Sequence, residues 1–212
     1  ELEVLDKLNS GKLLMDMIFT GGTMLRLCHG LNRYSVDLDF WLTEKADAKL
    51  LFKKIKDCLA NDYTVKDAAL KHYSLLFEIR SAHYPQKLKI EIRKEPKTDI
   101  DVEECIAFSP NSNIQVMLKT VSLDSMMQAK VAAFLDRKEI RDIFDLEFMV
   151  KKGIKLDAPK DKLERLLKGI TAFKKNDYTV KLGALLPEQE RKYYTAENFK
   201  ILIAAIREGL LR

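Results

Sequence analysis

With 212 residues, the chain is long enough for one large domain or two small ones. Hydrophobic residues make up 47% and charged residues 33%, the balance of a soluble globular protein, and no run of about 18 apolar residues offers a membrane span. The formal net charge of +5 is uneven: residues 151–177 hold nine Lys and Arg against four Asp and Glu, which leaves the remainder neutral and makes this stretch either a polyanion-binding surface or a solvated helix face.

The first ten residues, ELEVLDKLNS, are mixed and polar, unlike a signal peptide, and read as a short helix over about 2–9. A strand is expected near 13–20, a helix at 22–30, a strand at 36–42 and an amphipathic helix near 47–60. HYSLLFEIRSA and KLKIEIRK follow as extended segments, the second with clean period-2 alternation, and NIQVMLKTV (113–121) reads as a further strand. After Ser122 the periodicity becomes helical and stays so, in runs beginning at Ser122, Lys138, Asp161 and Thr195, with Gly153 as a C-cap and Thr195 as an N-cap. The fold class is therefore α/β (α+β): a mixed-sheet core over 1–121 and a helical part over 122–212, with no Pro/Gly-rich linker between them and an expectation that they pack together. Cys28, Cys58 and Cys105 are odd in number, far apart and without a CxxC pair, which argues against a disulfide framework or a zinc site and fits a reducing cytoplasm.

The chemistry concentrates in FTGGTMLRLCHGLNRYSVDLDFWL, residues 19–42. On a strand, Asp37 and Asp39 point to one face and Leu38 and Phe40 to the other. Two adjacent carboxylates repel unless they are well solvated or a cation lies between them. A hard divalent ion such as Mg2+ takes oxygen ligands of this kind together with phosphate oxygens. Gly21, Gly22 and Thr23 open a helix, where glycines allow close backbone approach and free N–H groups favour an anion. The plain alternatives are a tight turn and a solvated strand edge. A phosphate cradle beside an Asp-x-Asp pair, with Arg33 between them, points instead to a nucleoside triphosphate (NTP) and a metal.

A second constellation lies in SLDSMMQAKVAAFLDRKEIRDIFDLEFMVKKG, residues 122–153. Leu123, Met126, Met127, Lys130 and Phe134 recur at spacings of three and four, which sets Lys130 on the apolar stripe of its helix. A lysine there either snorkels to solvent or meets an anion, and the anion is the favoured reading because RDxxD follows closely. Asp142 and Asp145 share a helix face, and Arg141 is placed to reach Asp145 at i, i+4. That face reads either as a surface salt bridge or as a network that positions Lys130. In KLKIEIRK, Lys89, Glu91 and Arg93 lie on one face, and Glu91 is the candidate third carboxylate, with an ordinary exposed glutamate as the equal alternative. His29, His72 and His83 show no ligand spacing.

GGTMLRLCHGLNRYSVDLDF resembles the signature of the AbiEii/AbiGii-type nucleotidyltransferases of the DNA polymerase β superfamily, which reads GGTxL followed by R-[FY]-S-x-D-L-D-F. The match comprises Gly21, Gly22, Thr23, Leu25, Arg33, Ser35, Asp37, Leu38, Asp39 and Phe40; Val36 stands where an acidic residue is common. The later block is similar to the family's second motif at Lys130, Arg137, Arg141, Asp142, Asp145 and Leu146, with Ala129 where many members have Glu. The resemblance implies a polymerase β-like core that transfers a nucleoside monophosphate from an NTP to an acceptor and releases pyrophosphate. On it, Gly21, Gly22 and Thr23 hold the triphosphate, Asp37 and Asp39 bind Mg2+ with Glu91 as a third ligand, Arg33 and Lys130 neutralise phosphate charge, and Asp142 orients Lys130 or helps deprotonate the acceptor. It also implies the toxin half of a bacterial toxin–antitoxin or abortive-infection system, with a cognate antitoxin protein as partner and an RNA such as tRNA as a candidate acceptor. The alternatives are a non-catalytic nucleotide- or antitoxin-binding protein of the same fold, and a small-molecule nucleotidyltransferase of the antibiotic-modifying kind.

Overall fold

The computed structural model describes residues 1–95, 97 and 99–211 and forms two compact units. The first comprises 1–30 and 35–122, the second 31–34 and 123–212.

The first unit is a seven-stranded mixed sheet with helices on one face. Its strands are β1 (Met17–Thr20), β2 (Leu38–Leu42), β3 (Thr64–Leu70), β4 (Ser74–Arg80), β5 (Lys87–Arg93), β6 (Val102–Ala107) and β7 (Val116–Val121), arranged in the order β3-β4-β5-β2-β1-β7-β6. β1 runs antiparallel to β2 and parallel to β7, and β2 runs parallel to β5. Period-2 alternation turns Leu75, Phe77 and Ile79 of β4 and Ile90 and Ile92 of β5 to the buried side, with Leu38 and Phe40 of β2. Helices α1 (Leu2–Ser10), α2 (Gly21–His29) and α3 (Ala48–Ala60) cover that side. Phe52 of α3 stacks on Phe77 at 5.0 Å, and Phe19 meets Phe40 at 5.1 Å. Asp47 caps α3 by accepting from the amides of Lys49 and Leu50.

Two strands, β3 and β6, escape the sequence reading because they are the two edges of the sheet. TVKDAAL and VEECIA are mostly solvated and carry no hydrophobic alternation. The expected strand at 13–20 is a 3₁₀ turn over Leu14–Asp16 followed by β1. The strand expected from residue 36 begins at Leu38, so Asp37 lies in the exposed approach to β2 rather than inside it. The three cysteines are free.

The second unit contains α4 (Leu123–Arg137), α5 (Ile140–Lys151), α6 (Lys160–Thr171), α7 (Glu188–Glu197) and α8 (Lys200–Leu211). Gly153, at φ +88°, ends α5, and its amide donates to the Val150 carbonyl at 2.9 Å. An aromatic cluster fills the core: Phe199 lies 5.3 Å from Tyr194, 5.6 Å from Tyr178 and 6.5 Å from Phe173. The buried Glu147 accepts from the Leu202 amide at 3.1 Å and so caps the start of α8. Thr195, expected from the sequence as an N-cap, lies instead inside α7. Its hydroxyl donates to the Arg191 carbonyl, while Asn198 at φ +53° makes the break before α8. Among the described residues, no helix is long and apolar enough to cross a membrane.

Candidate active site

In the first unit, β1 ends at Thr20 and the chain turns directly into α2. Gly21 makes that turn at φ +82°, a conformation that glycine alone adopts without cost. Its α-hydrogen faces Asp39 so closely that a Cβ there would lie 2.6 Å from Oδ2 and 3.1 Å from the Asp39 Cβ. The antiparallel register explains the contact, since Thr20 pairs with Asp39 across β1 and β2. Gly22 and Thr23 complete the first turn of α2, both buried. The amides of a first helical turn lack intrahelical partners and face outward along the axis, which suits an anion.

Two further contacts fix this helix start. The Thr23 hydroxyl lies 3.0 Å from the Ser35 hydroxyl, and the Arg26 Nε donates to the Ser35 carbonyl at 3.2 Å. Arg26 also pairs through Nη2 with Glu1 at 2.6 Å. Ser35 therefore fastens the approach to β2 against α2, a role its place in the motif did not disclose.

Across the parallel pair β2 and β5, Asp39 is in register with Glu91, which puts both carboxylates on one face. Lys89 reaches back along β5 and pairs with Glu91 at 2.6 Å. Partial burial pushes the Glu91 carboxyl up, but the Lys89 hydrogen bond and charge, with Arg93 and Lys71, outweigh it and hold Glu91 below the usual carboxylate range. Lys89 is raised chiefly by its hydrogen bond to Glu91, against a smaller burial effect, with the charges of Glu91, Asp37 and Asp39 adding to it. The Lys89 contact links residues at i and i+2, visible in the alternation of KLKIEIRK but not singled out there as a pair.

Among the described residues, no three or more His, Cys, Asp or Glu are gathered tightly enough to hold a metal unaided. The donor set still suits a hard divalent cation. Asp37, Asp39 and Glu91 offer only oxygen, and the missing side chain of Gly21 makes room for the Asp39 carboxylate beside the helix start. Mg2+ in such a place is held by one or two carboxylates and completes its shell with phosphate oxygens and water.

The second unit holds a buried ionic network. Arg33 is buried and grips Asp145 with both arms of its guanidinium, Nε to Oδ1 at 2.6 Å and Nη2 to Oδ2 at 2.8 Å. Lys130, also buried, lies 2.6 Å from Asp145 and 3.2 Å from Asp142. Arg137 grips Asp142 in turn, at 2.7 Å and 2.6 Å. Burial alone would push the Asp145 carboxyl up; the charges and hydrogen bonds of Lys130 and Arg33 win and hold it below its ordinary value. Burial likewise opposes the Arg33 charge, and Asp145 more than restores it. The lysine on the apolar stripe thus meets an anion, and the anion is a pair of aspartates. The Arg141–Asp145 surface bridge is not the pairing formed: α5 turns Asp142 and Asp145 inward to full burial, while Arg141 remains exposed. A partner for Asp145 over 100 residues away in sequence could not be read from helical spacing.

A family model for "Nucleotidyl transferase AbiEii toxin, Type IV TA system" matches residues 3–209. The chain belongs to this AbiEii family. Two solved structures from Helicobacter pylori share the fold. JHP933 is 23% identical with a TM-score of 0.59, covering 97% of this chain and 92% of its own. A candidate nucleotidyltransferase is 22% identical with a TM-score of 0.62, covering 99% and 94%. No curated protein matches. An AbiEii chain is a nucleotidyltransferase. The two sequence blocks that resemble the family's motifs lie here in the β1–α2 turn and β2, and in α4 and α5.

Proposed function

We propose that the chain transfers a nucleoside monophosphate from an NTP to an acceptor and releases pyrophosphate, in a reaction that depends on Mg2+. The observation that carries this reading is the contact of Gly21 with Asp39. A helix start that can take phosphate oxygens stands directly against a carboxylate that can take the ion neutralising them. The amides of Gly21, Gly22 and Thr23 bind the triphosphate, and the Thr23–Ser35 contact keeps that turn in place. Asp37 and Asp39 hold Mg2+, with Glu91 as a third ligand; when bound, the ion offsets phosphate charge and steadies the attacking and leaving oxygens. Lys130 remains the essential lysine of this reading, and Asp142 and Asp145 are the residues that position it.

For the acceptor, the exposed cations of 151–177 favour RNA. Helix α6 buries Leu163, Leu166 and Ile170 and leaves Lys160, Lys162, Arg165 and Lys168 in solvent. Lys151 is partly committed already, to Glu147 at 3.2 Å and the Tyr194 hydroxyl at 3.0 Å. A tRNA end is the acceptor this reading names. A toxin acting in the cytoplasm, restrained by a cognate antitoxin protein, is the role consistent with the family's description.

The deciding experiment incubates the protein with each labelled NTP, Mg2+ and total RNA. Label in an RNA pool, lost in Asp39→Asn, is the expected result. Label in small molecules alone would point to the antibiotic-modifying class. No label from any NTP with folded protein would leave a nucleotide- or antitoxin-binding protein instead.

A further inference from the structure

Lys89 stands where the proposed reaction needs an ion. Its ammonium lies 2.6 Å from Glu91, and Glu91 is in register with Asp39 on the neighbouring strand, with Asp37 at the approach to the same strand. On the other side of β5, Lys89 pairs in register with Glu78 of β4, but the Glu78 carboxylate is taken by Lys87 at 2.6 Å. Lys89 is therefore directed toward the carboxylates of β2 and β5. Its side chain is 43% exposed and that of Glu91 29%, so the lysine can leave without opening the core.

We infer that Lys89 is a built-in competitor for the divalent cation, occupying Glu91 until the metal displaces it. The physical reason is charge balance. Parallel in-register carboxylates repel, and Asp39 and Glu91 on one sheet face, with Asp37 at the approach to β2, concentrate negative charge there. A strand lysine two residues from Glu91 offsets part of that charge until an ion arrives, because both side chains emerge on the same face. Lys89 holds Glu91 through Oε2, and an ion brought to this carboxylate meets the ammonium's charge at close range, so the two cations oppose each other there. Lys89 thus lowers the affinity of the free protein for metal, and binding of the metal together with a nucleotide's phosphates is favoured over binding of the metal alone.

This inference rests on the metal reading, and one titration separates the two. Mn2+ is titrated by calorimetry into the full chain without nucleotide, for wild type, Lys89→Met, Lys89→Arg and Glu91→Gln, each checked for folding by circular dichroism. Lys89→Met is expected to bind the ion about fivefold more tightly, the size of one half-exposed ion pair. Lys89→Arg, which keeps the charge, should stay near wild type. Glu91→Gln should bind more weakly, and adding Lys89→Met to it should gain less than Lys89→Met gains alone. If wild type binds Mn2+ and folded Lys89→Met binds no more tightly, the competitor role is wrong while the metal site stands. If no folded form binds the ion, the metal reading itself falls and this inference with it.

Discussion

Gly21 and Asp39 touch in a way that leaves no room for a side chain: a Cβ on Gly21 would lie 2.6 Å from the carboxylate oxygen. Gly21 also sits at φ +82°, where an alanine is strained even in open space. Gly21→Ala should therefore lose about 1–3 kcal/mol of stability. It should also push the Asp39 carboxylate aside, so that the folded fraction transfers poorly. Chemical denaturation beside an NTP-transfer assay checks both; a variant as stable and active as wild type would show that the turn relaxes freely.

Asp39→Asn keeps the shape of the side chain and removes its charge next to Glu91. The variant should fold and melt close to wild type, yet lose transfer and Mg2+-dependent NTP binding. Normal turnover by the folded variant would remove Asp39 from the metal assignment.

Lys130→Met preserves length and apolar character, and sequence alone suggests a variant at least as stable as wild type. The geometry reverses that expectation, because the methionine would strand part of the charge of Asp145 at 2.6 Å and Asp142 at 3.2 Å. Arg33 and Arg137 still grip the two aspartates, so the loss should fall below the roughly 3–5 kcal/mol of a fully broken buried pair. Thermal melts without ligand, run with a transfer assay, separate two roles for the lysine. Destabilisation with wild-type turnover per folded molecule means a purely structural lysine; destabilisation with turnover abolished means that the network also serves the reaction.

Acid should expose the same network. Asp145 is held below its ordinary value, so its contribution to stability is complete above the unfolded-chain value of about 3.9 and is lost as pH falls through the lower folded value. Wild type should therefore lose stability below about pH 4. Asp145→Asn should be less stable at neutral pH and show a shallower fall on acidification. Melting curves from pH 7 down to the acid range measure this, and parallel curves for the two proteins would mean that Asp145 does not set the acid response.

The exposed lysines of 151–177 predict a salt-dependent interaction with RNA. Reversing Lys160, Lys162 and Lys168 to glutamate should weaken binding and flatten the log–log salt slope by about 0.7–0.9 for each phosphate left without its lysine. A slope equal to that of wild type would make this face merely solvated.

The sequence by itself determined the central strands, the switch to helices after Ser122 and the two motif blocks. In each case the signal is local: alternation in KLKIEIRK, three-and-four spacing around Lys130, and glycines that only a tight helix entry requires. The edge strands β3 and β6 were not legible, since solvated edges carry no apolar period. Nor was the start of β2, which shifts Asp37 out of the strand by a single residue. Tertiary structure alone decided who pairs with whom. Register across β2 and β5 brought Glu91 beside Asp39, antiparallel pairing set Gly21 against Asp39, and burial of α5 gave Asp145 to Arg33, 112 positions away, rather than to Arg141 four positions away. Charge pairing depends on distance in space and on how much water is excluded, and neither is a function of separation along the chain.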